Sequence, residues 1–310
     1  MKKFIIKIAL SIILPLLIMF ISGEIILRSI PNDYSYKNDF LENNSSSIKI
    51  LTLGSSHTFS GINPKYFSSK AFNAAQSSQS LKYDYWILSK FINKMDLLEY
   101  VIIPISYFSP LRKMELEPEN SFVKNYCIYY SCTFHKYEPV YNFEMWGFGT
   151  PTFNRIKDHL KEKDKPLTCD KLGYGIQYDS KTRKADWYTR GKSRAKEHTV
   201  DTINHAVLNE SYDYLRKMIS LCKEKNIKVI LLTTPAYKTY TDNLNPRQVK
   251  IMEDMGNKIS KENKNTIYLN LLTSTKFNQS DFFNTDHLSE IGAKKLTLLL
   301  NDTIKALSIK

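Results

Sequence analysis

Residues 47–58 read SIKILTLGSSHT. Positions 47–53 form a short, mostly apolar run that stops at Gly54. A strand covered by helices on both faces meets no water on either side, so it reads as such a run rather than as an alternation. Gly54 permits a tight turn, and Ser55, Ser56 and His57 follow at once. In an open α/β sheet, ligands gather beyond the carboxyl ends of the strands. The loop at 54–58 is therefore where a reactive serine is expected.

The same rhythm continues outward from that stretch. Further buried strands are predicted at 100–105 (YVIIPI), 227–232 (IKVILL) and 267–271. Between them, apolar residues at helical spacing predict helices over 81–94, 208–225, Pro246–Glu262 and 289–307. The second of these carries Leu208, Tyr212, Leu215, Met218 and Leu221 on one face. Strand–helix alternation with near-continuous strands implies an α/β fold, a three-layer, doubly wound parallel sheet of flavodoxin-like type. That domain is expected over 47–310, interrupted at about 110–200 by an aromatic, basic and aperiodic insertion.

Residues 4–22 read FIIKIALSIILPLLIMFIS, with Lys7 as the single charge. A helix of that length spans roughly 28 Å, close to the ~30 Å hydrocarbon core of a bilayer. Lys2 and Lys3 precede it, so the positive-inside tendency places the N-terminus in the cytoplasm and the remainder outside. An anchor over 1–23 and a polar tether over 24–46 are expected. A cleaved signal peptide would have the same topological outcome, but its best cleavage candidate, Ile21-Ser22-Gly23, lacks the small-residue pattern.

The chain has 310 residues, 44 Lys+Arg against 31 Asp+Glu, and a formal net charge of +13. Its 42% hydrophobic content, with 20 Tyr and 16 Phe, excludes general disorder. Four Cys are too few for a disulfide scaffold. Cys127 and Cys132 are spaced to close a short disulfide loop outside the membrane, and no second Cys/His pair stands near them at zinc-ligand spacing. Residues 155–197 hold 13 Lys+Arg against 7 Asp+Glu, interleaved with Tyr174, Tyr178, Trp187 and Tyr188. Aromatics among cations suit nucleic acid by stacking and phosphate contact. An exported domain instead offers them to sugar rings and acidic groups, or leaves them as a solvated basic face near anionic lipid. No nucleic-acid partner is expected.

A second motif supplies what a serine lacks. Residues 281–289 read DFFNTDHLS, directly before the last predicted helix. His287 lies in a loop at a helix N-terminus, which favours a neutral imidazole and so a general base. A serine hydroxyl needs such a partner to become a nucleophile. His57 reads as a loop-shaping neighbour, and His198 either lines the cleft or starts a solvated helix. His135, His159 and His205 carry no ligand spacing.

On these blocks the chain resembles the SGNH (GDSL-type) hydrolase superfamily. In organisation it is similar to the membrane-anchored branches that modify acyl groups on bacterial surface polymers. The resemblance runs from about residue 49 to the C-terminus, apart from the insertion. It implies that Ser56, in Gly54-Ser55-Ser56-His57-Thr58, is the nucleophile and that its own N–H is an oxyanion donor. Phe72-Asn73-Ala74-Ala75-Gln76-Ser77-Ser78 looks like the second block, with Ser78 where the family usually has glycine. The third block normally offers an Asn side chain after a buried strand, and in Ile105-Ser106-Tyr107 the nearest substitute is Ser106. The last block usually reads Asp-x-x-His, whereas Asn284 stands three before His287. Asp286, directly adjacent, is the alternative carboxylate.

An Asp neutralises the imidazolium as well as orienting it, and in a serine protease the Asp-to-Asn change costs about 10⁴ in rate. Either Asp286 bends round to His287, or the enzyme runs as a Ser–His dyad with Asn284 or a backbone carbonyl orienting the ring, or the site is weak. What the resemblance implies overall is a serine esterase or O-acyltransferase, exported and held in a bacterial cell membrane by one span. Its partners would be the membrane, a surface polysaccharide and a membrane protein donating the acyl group, with no cofactor and no metal. The changes at Ser78, Ser106 and Asn284 motivate an alternative, a non-catalytic glycan-binding or assembly module on the same fold.

Overall fold

The computed structural model describes residues 2–147 and 149–308, with the side chains of 11–118, 120–147 and 149–307. The side chains of Lys2, Lys3 and Lys7, on which the expected topology rests, and residues 309–310 at the end of the expected domain lie outside the described set. In chain order the elements are α1 (Lys2–Ser29), α2 (Asp33–Asn44), β1 (Ile50–Thr52), α3 (Ser56–Phe59), β2 (Ala71–Asn73), α4 (Leu81–Phe91), β3 (Tyr100–Pro104), α5 (Val123–Tyr129) and α6 (Pro139–Asn142). There follow α7 (Thr150–His159), α8 (Gly191–His198), α9 (His205–Glu224), β4 (Lys228–Thr233), α10 (Lys238–Thr241), α11 (Pro246–Glu262), β5 (Thr266–Asn270) and α12 (Glu290–Ser308). Two compact units emerge, one of Met1–Asn38 and Asn120–Leu167, the other of Asp39–Glu119 and Thr168–Lys310.

The second unit contains a five-stranded, all-parallel sheet in the order β2-β1-β3-β4-β5. Ile50 pairs with both Ala71 and Tyr100, which places β1 between β2 and β3. The order of the strands reverses there, so the carboxyl end of β1 is the switch point at which such sheets bind ligands. Ile50, Tyr100, Ile102, Ile230 and Leu232 form one buried cluster with Leu296, Leu300 and Ile304 of α12. The intervening Leu51, Val101, Ile103, Val229 and Leu231 point to the opposite face by strand alternation and are equally buried. On that basis the sheet is doubly covered, with α9 packed on β4 and α4 on α9.

The four predicted strands correspond to β1, β3, β4 and β5, with edges shifted by at most three residues. Helix ends follow their caps. Asn204 accepts from Ala206 and Val207 N–H to start α9, and Asn245 with Pro246 starts α11. β2 has no sequence signature of its own: Ala-Phe-Asn becomes a strand only because β1 pairs with it.

Two expectations about organisation need amending. The region expected as a tether contains α2, opened by Asn32, whose side chain accepts from Tyr34 and Ser35 N–H. In the second unit Phe40 stacks on Phe72 with ring centroids 4.1 Å apart, and Leu41 is fully buried. Leu41, apolar in a polar segment, thus finds a place in the core, with the half-buried Phe40 stacked on it from outside. The expected insertion is divided, because Asn120–Leu167 belongs to the first unit and the stretch from Thr168 to the second. In the first unit, residues Ser11–Ser29 of α1 are long and apolar enough to cross a membrane. Cys127 and Cys132 are both buried there.

Candidate active site

The loop after β1 is rigid for identifiable reasons. Gly54 sits at φ +111°, a conformation side-chain-bearing residues avoid, and a Cβ there would run into the Pro104 ring. Its N–H donates to Asp84 Oδ1 at 2.7 Å, and Gln79 Nε2 donates to the same oxygen at 2.6 Å. Thr58 Oγ1 donates to the Leu53 carbonyl at 2.8 Å. The Asn73 side chain donates to the carbonyls of Thr58 and Ile62, both at 2.8 Å, and so braces the far end of α3. Ser56 opens α3 and is fixed by these contacts on both sides.

His287 arrives from the loop before α12. That loop begins with a capping box between Asn278 and Asp281, and a bridge between Phe282 and Leu288 closes it. Gly292 lets the first turn of α12 approach the Asp281 carbonyl, where a Cβ would collide. The outcome is a 2.8 Å hydrogen bond between Ser56 Oγ and His287 Nε2 across 231 positions of sequence.

The two candidate orienting residues take different places. Asn284 Oδ1 is 3.1 Å from His287 Nδ1, so that nitrogen, when protonated, donates to the amide oxygen. The same oxygen accepts from the Asp286 and His287 backbone N–H groups at 3.1 and 2.9 Å. Asp286 Oδ2 stands 3.4 Å from His287 Nδ1, an ion-pair distance, and 3.2 Å from His57 Nε2. Arg194 Nε donates to both Asp286 oxygens at 3.2 and 3.1 Å, and its Nη1 pairs with Glu197 at 2.9 Å.

Burial by itself would raise the Asp286 carboxyl. Its neighbours His287, His57 and Arg194 outweigh that and hold it well below the usual carboxylate range. Burial pushes His57 down, with the Asp286 hydrogen bond only partly opposing. His198 is pushed down by burial to about 2, and its Nδ1 lies 2.7 Å from the Tyr240 hydroxyl. Both imidazoles are therefore neutral partners at physiological pH. Nitrogens of His57 and His287 and an oxygen of Asp286 lie within 4.8 Å of one another, a spacing that a divalent cation accepts. Arg194, already on that carboxylate, opposes a second cation.

Ser78 lies at φ +59°, the left-handed conformation natural to the glycine that the resemblance leads one to expect. Ser106 is buried just past β3, and its N–H donates to Ser109 Oγ at 2.7 Å. Two cavities flank the Ser56–His287 pair. One, of about 360 Å³, is lined by Ser56, Ser78, Ser109, Phe108, Arg112 and His198 among others. The second, of about 410 Å³, is lined by His287, Asn284, Tyr178, Trp187, Lys184 and Arg190 among others. Arg194 and Glu197 line both. His198 thus lines a cavity, while Ser106 is not among the lining residues. Sequence reasoning did not single out Arg194 or Asp84, since no local spacing ties either to a loop that far away.

No family model matches the chain, and no curated protein matches it. Among solved structures it is similar to a protein assigned as an acylhydrolase from Bacteroides fragilis, at 12% identity and a TM-score of 0.42 over 86% of this chain and 95% of that one. It is similar to a GDSL-like lipase from Bacteroides thetaiotaomicron, at 9% identity and a TM-score of 0.44 over 88% of this chain and 99% of that one. A protein assigned to the G-D-S-L lipolytic family from Desulfitobacterium hafniense is similar at 12% identity and a TM-score of 0.41, over 82% of this chain and 98% of that one.

Proposed function

We propose that this chain is a membrane-anchored serine esterase or acyltransferase acting on O-acyl groups of a bacterial cell-surface polysaccharide. The observation that carries the proposal is the 2.8 Å contact between Ser56 Oγ and His287 Nε2 at the switch point of the sheet. Ser56 attacks the acyl carbonyl as His287 takes its proton. The N–H groups of Ser56 and Ser78, both on the wall of the cavity beside Ser56, receive the oxyanion, and Ser106, buried behind that wall, is left out of the oxyanion contact. The alcohol leaves with the proton from His287, and water or a sugar hydroxyl then takes the acyl group from Ser56. In hydrolysis the final acceptor is water, and in transfer it is a sugar hydroxyl. The cavity beside Ser56 and Ser78 suits the acyl half. The one beside His287, with Tyr178, Trp187, Lys184 and Arg190, suits a sugar ring bearing acidic groups. The apolar helix α1 is the anchor in this proposal, with the domain periplasmic or extracellular.

The decisive experiment is labelling with a serine-reactive fluorophosphonate. The wild-type chain is expected to be labelled and Ser56→Ala to be unlabelled. Undiminished labelling of Ser56→Ala would remove Ser56 from the nucleophile's role. A folded wild-type chain that takes no label would instead favour the glycan-binding module.

A further inference from the structure

In the first unit, among the described residues, the segment Asn120–Leu167 takes hold of the C-terminal end of α1. The Phe143 ring meets Phe20 edge-on at 5.6 Å, and Gly23 leaves room for the Met145 side chain against the helix. Glu24 accepts from the backbone N–H of Glu144 at 3.1 Å and of Met145 at 2.9 Å. Arg28 Nε donates to Glu24 at 2.6 Å, and its Nη2 donates to the Asn142 carbonyl at 2.9 Å. Ser29 Oγ meets His159 Nε2 at 3.2 Å, which brings in the end of α7. From Phe20 to Ser29 these contacts span roughly 13 Å of helix. Glu24 is the first charge after Lys7, so this is the stretch where an anchor helix leaves hydrocarbon and enters the headgroups.

The segment is internally braced around one buried carboxylate. Glu144 takes Lys124 Nζ and Arg155 Nη1, both at 3.0 Å, and the Tyr129 hydroxyl at 2.9 Å. Burial opposes its ionisation, and the two cations outweigh that and keep it charged. α5, α7 and the 142–147 turn are thereby tied together. On this braced frame stand Tyr137, Val140, Phe143, Trp146, Phe153 and Leu160, all exposed, with Trp146 at 51% and Leu160 at 67%. Exposed apolar side chains this dense over a short segment mark an interaction surface. Trp and Tyr among them are the residues that settle at a membrane–water boundary.

We infer that Asn120–Leu167 is an interfacial platform that lies in the outer headgroup layer of the bilayer crossed by α1. The occupant assigned to these exposed apolar side chains is lipid, because Phe143 and Met145 pack on the emerging helix at Phe20 and Gly23, and the neighbouring Trp146 stands exposed beside that contact. The same segment carries Lys136, Lys157, Lys161, Lys163 and Lys165, interleaved with Glu138, Asp158, Glu162 and Asp164, and the excess of cations favours anionic headgroups. The inference rests on the reading of α1 as an anchor.

The test reconstitutes the full chain in phosphatidylcholine–phosphatidylglycerol vesicles whose acyl chains carry bromine near the headgroup, and follows tryptophan fluorescence. The chain holds 3 Trp. Bromine is expected to quench the wild type, and Trp146→Phe to lose at least half of that quenching while still floating with the vesicles. Leu160→Trp, at an exposed position next to the His159 that meets the end of α1, is expected to add a quenched component. Unchanged quenching in Trp146→Phe, with no added component from Leu160→Trp and flotation intact, would overturn the platform and leave the anchor standing. Cross-linking of two chains through this face, without quenching, would assign it to a second copy and overturn it likewise. Failure of the wild type to float would remove the anchor, and the platform with it.

Discussion

In the proposed mechanism, Asn284 and Asp286 divide a task that a single carboxylate performs in a Ser–His–Asp triad. The amide oxygen of Asn284 sits at hydrogen-bond distance from His287 Nδ1, and the charge of Asp286 acts from 3.4 Å, shared with His57 and Arg194. Because the charge is shared and not directly bonded, Asp286→Asn is expected to cost less than the ~10⁴ of the protease case, on the order of 10² in kcat. Asn284→Ala is expected to cost about 10-fold through a less ordered ring. Steady-state kinetics of the two variants decides, and a silent Asp286→Asn would end its electrostatic role.

Asp84 offers a second test at the same scale. Burial lifts it to about 7 against the Gln79 and Gly54 donors. The folded chain then holds the proton more tightly than the unfolded chain, whose Asp titrates near ~3.9. Stability from this group is therefore lost as pH rises from about 4 to 7 and changes no further above that. Asp286 acts with the opposite sign: its depressed carboxyl contributes stability above the unfolded value, lost as pH falls through the folded one. Thermal melts should show the first loss in the wild type and not in Asp84→Asn, which keeps an acceptor for Gly54 N–H. Ser78→Gly, at φ +59°, should raise stability by up to ~1 kcal/mol with turnover retained, read from the same melts.

Elements bring these residues together. β1, β3 and β4 were readable because strands covered on both faces must be apolar throughout. β2 and α2 were not, because a three-residue strand and a polar helix acquire their place from what they pack against. α8 shows the same limit. Its Arg194 reaches Asp286 across 92 positions, a distance over which local spacing carries no information. Where β1 meets α3, Gly54→Ala should destabilise by about 2–4 kcal/mol, since it combines a strained φ with a collision on Pro104. Phosphonate labelling should fall with it. Normal melting and labelling in that variant would show that the loop has more freedom than its contacts imply.

For the whole molecule, the +13 charge and the apolar N-terminal helix make separable claims about membrane attachment. Charge attraction collapses in 1 M salt, where the screening length is ~3 Å, whereas burial of an apolar helix does not. The full chain is expected to remain with membranes through a 1 M NaCl wash and to leave them only in detergent, as fractionation would measure. Release by salt alone would transfer the attachment to the basic surface. Periodicity and local chemistry, written in consecutive residues, determined the apolar span, the parallel α/β class and the two loops bearing Ser56 and His287. Tertiary structure alone decided the 2.8 Å contact between them, the diversion of Asp286 to Arg194 and His57, and the division of the insertion between two units. The physical reason is that pairing across 92 or 231 positions depends on how the elements pack, which no local pattern encodes.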